Sequence, residues 1–216
     1  MLRTRLFIDY WNFHIDWQKR TGSAPLDWTQ VPSIFIQAAN EQFAKVGSER
    51  LSLDETRVYA SYEPGHSGKL RNWLHNFLDR QPGIRVFATE RHWRQRSIHC
   101  RECNGEVVNC PSCSKPLGRA GEKTVDARIV TDLVNLAWEG VYDVAVLVTS
   151  DKDFKPAVDA LQNRNFKVVN GHWRGTGHEL ATLCWASFEI DHYISPLTRP
   201  SGAPANSGGQ KNTGSR

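Results

Sequence analysis

Val144-Ala145-Val146-Leu147-Val148-Thr149-Ser150-Asp151-Lys152-Asp153-Phe154 is an apolar run that stops at two carboxylates. A short continuous apolar stretch bounded by polar residues reads as a strand buried on both faces. Acids are costly to gather at the mouth of such a strand unless positive charge neutralises them. The chain opens in the same way, with Leu6-Phe7-Ile8 running into Asp9 and Asn12 three residues on. A third acid, Asp126, begins a segment whose Val130, Leu133 and Ala137 share a helical face, and is expected on the inward side of that helix start. Three separate pieces of chain thus deliver acids to boundaries between elements.

Working outward, strand-like runs recur over 5–9, 56–62, 84–89, 144–150 and 166–170. Helical periodicity lies between them. Ile34, Phe35, Ala38, Ala39 and Phe43 share one face after Pro32; Leu70, Leu74, Phe77 and Leu78 share another; Ala157, Ala160 and Leu161 follow the acid doublet; Leu180, Leu183 and Cys184 form a last helix. Strands alternating with helices predict an α/β fold, a mostly parallel sheet with helices on both faces. Ligands bind such sheets outside the carboxyl ends of the strands. Asp9, Asp151 and Asp153 all fall at that edge. Arg91 to Arg119 breaks the alternation and reads as an insertion, its core at 97–119, inside a domain spanning 1–195. Residues 196–216, rich in Pro, Gly, Ser and Asn without an acid, are expected to be a disordered tail.

The chain has 216 residues, enough for one sizeable core, with a formal charge of +4 that permits a polyanionic partner. Eight tryptophans are many for this length and are expected mostly in the core or at its rim. The apolar run after Met1 is too short for a signal peptide, and no stretch has the length of a membrane span. Four of the five cysteines are clustered, which suits a metal site in a reducing, cytoplasmic compartment better than a disulfide framework.

The acids suggest chemistry. Asp commonly caps a helix or turn after a strand, which accounts for Asp9 or Asp151 taken singly. Acids at matching topological positions suggest instead a site for Mg²⁺ or Mn²⁺, which take oxygen ligands and assist hydrolysis of phosphate esters. Cys100-x-x-Cys103 and Cys110-x-x-Cys113, six residues apart, have the spacing of a closed tetrahedral Zn²⁺ site of structural type. Cys184 reads as a small apolar core group. Arg91, Trp93, Arg94 and Arg96 interleave cations with an aromatic just before the cysteines, a pattern suited to phosphates and bases. Arg174, in a glycine-rich turn, and Lys123, beside a helix start, are further candidate phosphate contacts.

Three segments together carry a resemblance. Leu-Phe-Ile-Asp9-Tyr-Trp-Asn12-Phe, Lys123-Thr-Val-Asp126-Ala-Arg-Ile-Val-Thr-Asp132 and Val-Leu-Val-Thr149-Ser-Asp151-Lys-Asp153-Phe resemble, in order, the motifs of the NYN domain, a family of PIN-like metal-dependent nucleases. The resemblance spans residues 5–194. It implies a Rossmann-like fold and cleavage of RNA with Mg²⁺ or Mn²⁺, leaving 5′-phosphate and 3′-hydroxyl ends. Asp9, Asp126, Asp151 and Asp153 would form the acidic centre, with Asn12 and Thr149 supporting ligands or substrate. Asp132 is expected to be a solvated or paired surface acid. Thr124 and Ser150 stand where the family often has glycine. The competing expectation is a non-catalytic nucleic-acid-binding or scaffolding module whose zinc insertion recruits a protein partner or a second copy. RNA is the expected nucleic acid ahead of DNA, with no membrane partner.

Overall fold

The computed structural model of the protein describes residues 1–47, 49–63, 68–95, 97–121 and 124–200, and only the backbone at 92–94 and 119–121. Lys123 and Arg96 lie outside these residues. The chain runs β1 (Leu2–Asp9), α1 (Tyr10–Thr21), α2 (Val31–Ala44), β2 (Leu51–Tyr62), α3 (Gly68–Asn76) and β3 (Ile84–Glu90). The insertion follows as β4 (His92–Gln95), β5 (Ile98–His99), β6 (Glu106–Val107) and β7 (Gly118–Gly121). Then come α4 (Val125–Trp138), β8 (Val144–Val148), α5 (Lys155–Gln162), β9 (Lys167–His172), α6 (His178–Ala181), β10 (Ala186–Glu189) and α7 (Ile194–Leu197).

Six strands form one sheet in the order β10-β9-β8-β1-β2-β3, and every pairing is parallel. Successive connections leave β1 in opposite directions, first toward β2 and β3, later toward β8, β9 and β10. The order therefore reverses between β1 and β8. In a doubly wound sheet this switch point opens a crevice at the carboxyl edge.

Side-chain alternation explains the layers. On β1, Leu6 and Ile8 face a core built with Phe13 and Trp17 of α1, Phe35 of α2 and Trp73 of α3. Phe7 faces the opposite core with Ile129 and Leu133 of α4 and Val158 of α5. A central strand covered on both faces must be apolar at every position near its end, and β1 is fully buried from Leu6 to Ile8.

Local signals fix α1. Asp9 accepts the Asn12 N–H as N-cap at 3.2 Å, and Gly22, with left-handed φ of 62°, closes the far end by donating to the Gln18 carbonyl. Lys19 and Arg20 sit in its last turn, where cations suit the helix dipole. Pro32 occupies the first turn of α2, as its missing N–H allows.

Four details differ from the expectations above. Helix α1 and edge strand β10 add to the elements read from the sequence. The predicted last helix is only His178–Ala181, with Leu183 and Cys184 beyond it. Asp126 is exposed rather than inward; the buried stripe of α4 is Val125, Ile129, Leu133 and Ala137, one step around the helix. Finally, the folded chain continues past 195. Leu197 is fully buried and the Arg199 N–H donates to the Pro25 carbonyl at 2.9 Å. Residues 201–216 of the expected tail lie outside the described residues. Among the described residues no helix is long and apolar enough to cross a membrane.

Candidate active site at the switch point of the sheet

Asp9 ends β1 and Thr149 follows β8, so parallel pairing sets the two side by side at the crevice. Both are almost fully buried. The Thr149 hydroxyl lies 3.5 Å from Asp9 Oδ2 and also accepts the Asp151 N–H at 3.2 Å. One hydroxyl therefore links the first acid to the doublet. Asn12 makes a second tie, its Oδ1 accepting the Ser150 N–H at 2.7 Å. These bonds cross the switch point and hold the two strand ends in register.

A cleft of about 400 Å³ opens here, lined by Asp9, Trp11, Asn12, Ile15, Asp16, Lys19 and Asp126. Asp9 and Asp126, far apart in sequence, thus share one cavity. Helix α4 is aimed by a network beneath it. The Asp132 carboxylate accepts from Arg57 Nη1 at 2.9 Å, Tyr59 Oη at 2.8 Å and Arg128 Nε at 3.2 Å. Asp132 is therefore a paired acid. Thr124, one residue before α4, donates to the Thr89 hydroxyl at 3.3 Å and ties the helix start to the end of β3.

The doublet occupies the neighbouring 3₁₀ turn, Lys152–Phe154, where Asp151 Oδ1 accepts the Asp153 N–H at 2.9 Å. Asp151 is half-buried and Asp153 exposed, and neither lines the cleft shared by Asp9 and Asp126. Asp9 and Asp151 each act as a cap through one oxygen. Among the described residues no three His, Cys, Asp or Glu side chains are arranged to hold a metal ion.

Ser150 is held by the loop opposite. Its hydroxyl accepts from the Trp173 N–H at 3.4 Å and the Thr176 hydroxyl at 3.2 Å. Gly177 packs opposite with φ of 74°, and a Cβ there would come within 2.8 Å of Ser150 Cα. Glycine at 177 is what lets the two backbones come this close.

Of the basic candidates, Arg91 stacks over the Trp11 ring at 5.0 Å and donates Nε to the Ser61 hydroxyl at 2.7 Å, beside the cleft. Arg174 braces its own loop. Its Nε donates to Glu189 at 2.9 Å and its backbone N–H to Asp191 at 2.7 Å. Trp93 and Arg94 belong to β4, whose side chains are not described. Trp11, Ile15, Asp16 and Lys19 were not anticipated as cleft residues. Their spacing along a helix capped by Asp9 is the signal that locates them.

The cysteines form two matching turns, the first closed by the β5–β6 ladder and the second by an antiparallel bridge between Asn109 and Pro116. Cys100 N–H donates to the Gly105 carbonyl and Asn104 N–H to the Cys100 carbonyl, both at 2.9 Å. Cys110 N–H donates to the Lys115 carbonyl and Ser114 N–H to the Cys110 carbonyl, both at 2.8 Å. Asn104 and Ser114 share left-handed φ values of 55° and 57°. Backbone amides of Cys103 and Glu102 hold the Cys100 thiol below its ordinary pKa, and those of Ser112 and Cys113 do so for Cys110. All four thiols are free of disulfides. Cys184 is a buried core group whose thiol is pushed up to about 12 by burial.

Comparisons with known proteins agree with this topology. A crystal structure of a protein of unknown function from Vibrio parahaemolyticus is 19% identical, with a TM-score of 0.54, covering 88% of this chain and 93% of that one. It shares the fold. A Glycyrrhiza uralensis protein complexed with glycyrrhetinic acid 3-O-monoglucuronide, 10% identical with a TM-score of 0.25, covers 79% of this chain and 28% of that one and carries no argument. No curated protein matches the chain. The NYN domain model matches residues 3–189, and the six-stranded parallel sheet with helices on its faces is consistent with a PIN-like fold: the chain belongs to the NYN domain family, whose members are generally nucleases.

Proposed function

We propose that the protein is a divalent-metal-dependent endoribonuclease. The observation that carries this is the meeting of Asp9 and Asp126 in one polar cleft at the switch point, with Asp151 joined to Asp9 through Thr149. The donor set fits a hard cation, since it offers carboxylate and amide oxygens and no nitrogen or sulfur. Asp9, Asp126, Asp151 and Asp153 would hold Mg²⁺ or Mn²⁺. When bound, such an ion activates water and offsets charge building on phosphate oxygens.

The chain's own part is placement. The Asn12 N–H and the Thr149 hydroxyl fix the Asp9 carboxylate, and the Asn12 amide fixes the turn that presents the doublet. Capping occupies one oxygen of Asp9 and one of Asp151 but neutralises neither charge. Water adds to phosphorus as the bond to the 3′-oxygen breaks, leaving a 5′-phosphate and a 3′-hydroxyl.

Zinc is proposed for the insertion, held by Cys100, Cys103, Cys110 and Cys113. Support comes from the two matching turns, whose amides already favour thiolates. Reduced thiols of this kind suit a cytoplasmic protein.

The test is incubation of labelled RNA with the wild type, Asp9→Asn and Asp151→Asn proteins, with and without Mn²⁺. Each variant is expected to lose at least about a thousandfold in cleavage rate with an unchanged circular dichroism spectrum. Cleavage by either variant at the wild-type rate would refute the assignment.

A further inference from the structure

Asn170 lies fully inside the sheet, where a polar side chain brings the core no gain in stability. It pairs with Leu147 of β8 and Ser187 of β10, and side-chain alternation sets it on the face of Val168, in the core shared with Phe154, Val158 and Leu180. Its Nδ2 donates twice, to the Leu147 and Thr149 carbonyls, each at 2.9 Å. Its Oδ1, equally buried, meets no donor among the described residues. A buried acceptor left unpaired costs at least as much as a neutral hydrogen bond returns, so an apolar side chain of the same shape would serve the core as well. What it could not supply is the pair of donors.

One of those bonds falls where β8 ends. The strand stops at Val148, and Thr149 still donates its N–H to the Gly171 carbonyl at 3.2 Å. Asn170 holds the Thr149 carbonyl, so β9 grips Thr149 through the peptide groups on both sides. Peptide planes are rigid, and fixing both sets the direction of the Thr149 side chain. Its hydroxyl is thereby held 3.5 Å from Asp9 Oδ2 and 3.2 Å from the Asp151 N–H. The longer contact is at the outer limit of a hydrogen bond, so a shift of a few tenths of an ångström would break it. The anchor is itself firm. A Cβ on Gly171 would come within 2.7 Å of Phe188 Cζ and 3.3 Å of Val148 Cγ2, so β9 is packed tightly here.

We infer that Asn170 is a positioning residue for the acidic centre. By clamping Thr149 from β9 it sets the reach from Asp9 to Asp151, and with it the affinity of the site for a divalent cation. The inference rests on the nuclease reading and deepens it, since a residue buried in the core, two strands from Asp9, becomes a determinant of ion binding.

Mn²⁺ binding tests this, followed through the electron paramagnetic resonance of the free ion, the site counted being the one that Asp151→Asn removes. Asn170→Leu is close in shape and has no donors. It is expected to weaken Mn²⁺ about tenfold, the loss of one hydrogen bond, while the urea midpoint stays at or above that of the wild type. Asn170→Ala cannot clash and carries the test should Asn170→Leu fail to fold. Thr149→Val should weaken Mn²⁺ by a similar factor. Adding the Asn170 substitution to it should change the affinity by no more than about twofold, because both act through one hydroxyl. RNA cleavage by the Asn170 variant should fall and be restored by raising Mn²⁺, which a general loosening of the fold would not allow. The inference is overturned if the folded Asn170 variant binds Mn²⁺ as the wild type does, or if its loss multiplies in full with that of Thr149→Val. A wild type that binds Mn²⁺ and cuts no RNA would instead remove the nuclease reading and leave the binding result standing; one that binds no Mn²⁺ overturns both.

Discussion

Phe13, Trp17 and Trp173 are at most 1% exposed on one face of the sheet, whereas every residue from Arg101 to Asn109 in the insertion is exposed. The sheet is held by two apolar cores, and its polar bonds adjust the edges. In the insertion the order is reversed. Two short ladders, two tight turns and a handful of backbone bonds define it, with no buried apolar cluster among the described residues. A segment without a core needs another source of stability, and paired cysteines supply one when a metal joins them. The sheet needs no such help, so the two regions should fail independently.

The largest effect expected from this contrast is in the core. Phe13 packs against Trp17, Trp28, Phe35 and Trp173, and Phe13→Ala should cost about 3–5 kcal/mol in urea unfolding. A loss below about 1 kcal/mol would break the contrast at its stronger end.

Next comes pH. His14 stacks on Tyr10 in the same aromatic cluster, and burial lowers its imidazole pKa to about 4. The unfolded chain protonates this group near pH 6.5 and the folded chain does not, so stability is full above that value. It falls as pH drops from about 6.5 toward 4, by up to about 3 kcal/mol. His14→Phe should flatten that part of a plot of unfolding midpoint against pH; an unchanged slope would assign the acid sensitivity elsewhere.

The smallest effect on the sheet should come from the insertion. Cys103→Ser should abolish zinc binding and speed hydrogen exchange across 98–118, while shifting the unfolding midpoint of the sheet by less than about 1 kcal/mol. It should also weaken nucleic-acid binding. Equal destabilisation of both regions would show that they are one cooperative unit, and unchanged zinc content and affinity would count against the proposed role of the cysteines.

Legibility in the sequence followed burial. The runs 5–9 and 144–150 announced themselves because central parallel strands are apolar on both faces, and the acids at their ends inherited their place from topology. The edge strand β10 escaped notice because Ala186 to Glu189 has only Phe188 fully inside. Helix α1 was obscured because Tyr10, Phe13 and Trp17 are indifferent helix formers separated by polar residues. Its N-cap, Asp9, was nonetheless readable as a capping residue. The inward placement expected for Asp126 was wrong by one helical position, since the stripe starts at Val125. Spacing could pair Asp9 with Asn12, but the tie from Asn12 to the Ser150 amide depends on strands that meet only in three dimensions.

The pairing of Ile8 with Val148 has a consequence for synthesis. A chain growing from its amino end releases Asp9 early, yet the strand that completes the pocket emerges only after α4 and the whole insertion have been made. Contacts so distant along the polymer form late and slowly. A partly synthesised chain therefore lacks the strand beside Asp9, and the crevice between β1 and β8 takes shape only once most of the chain has been made.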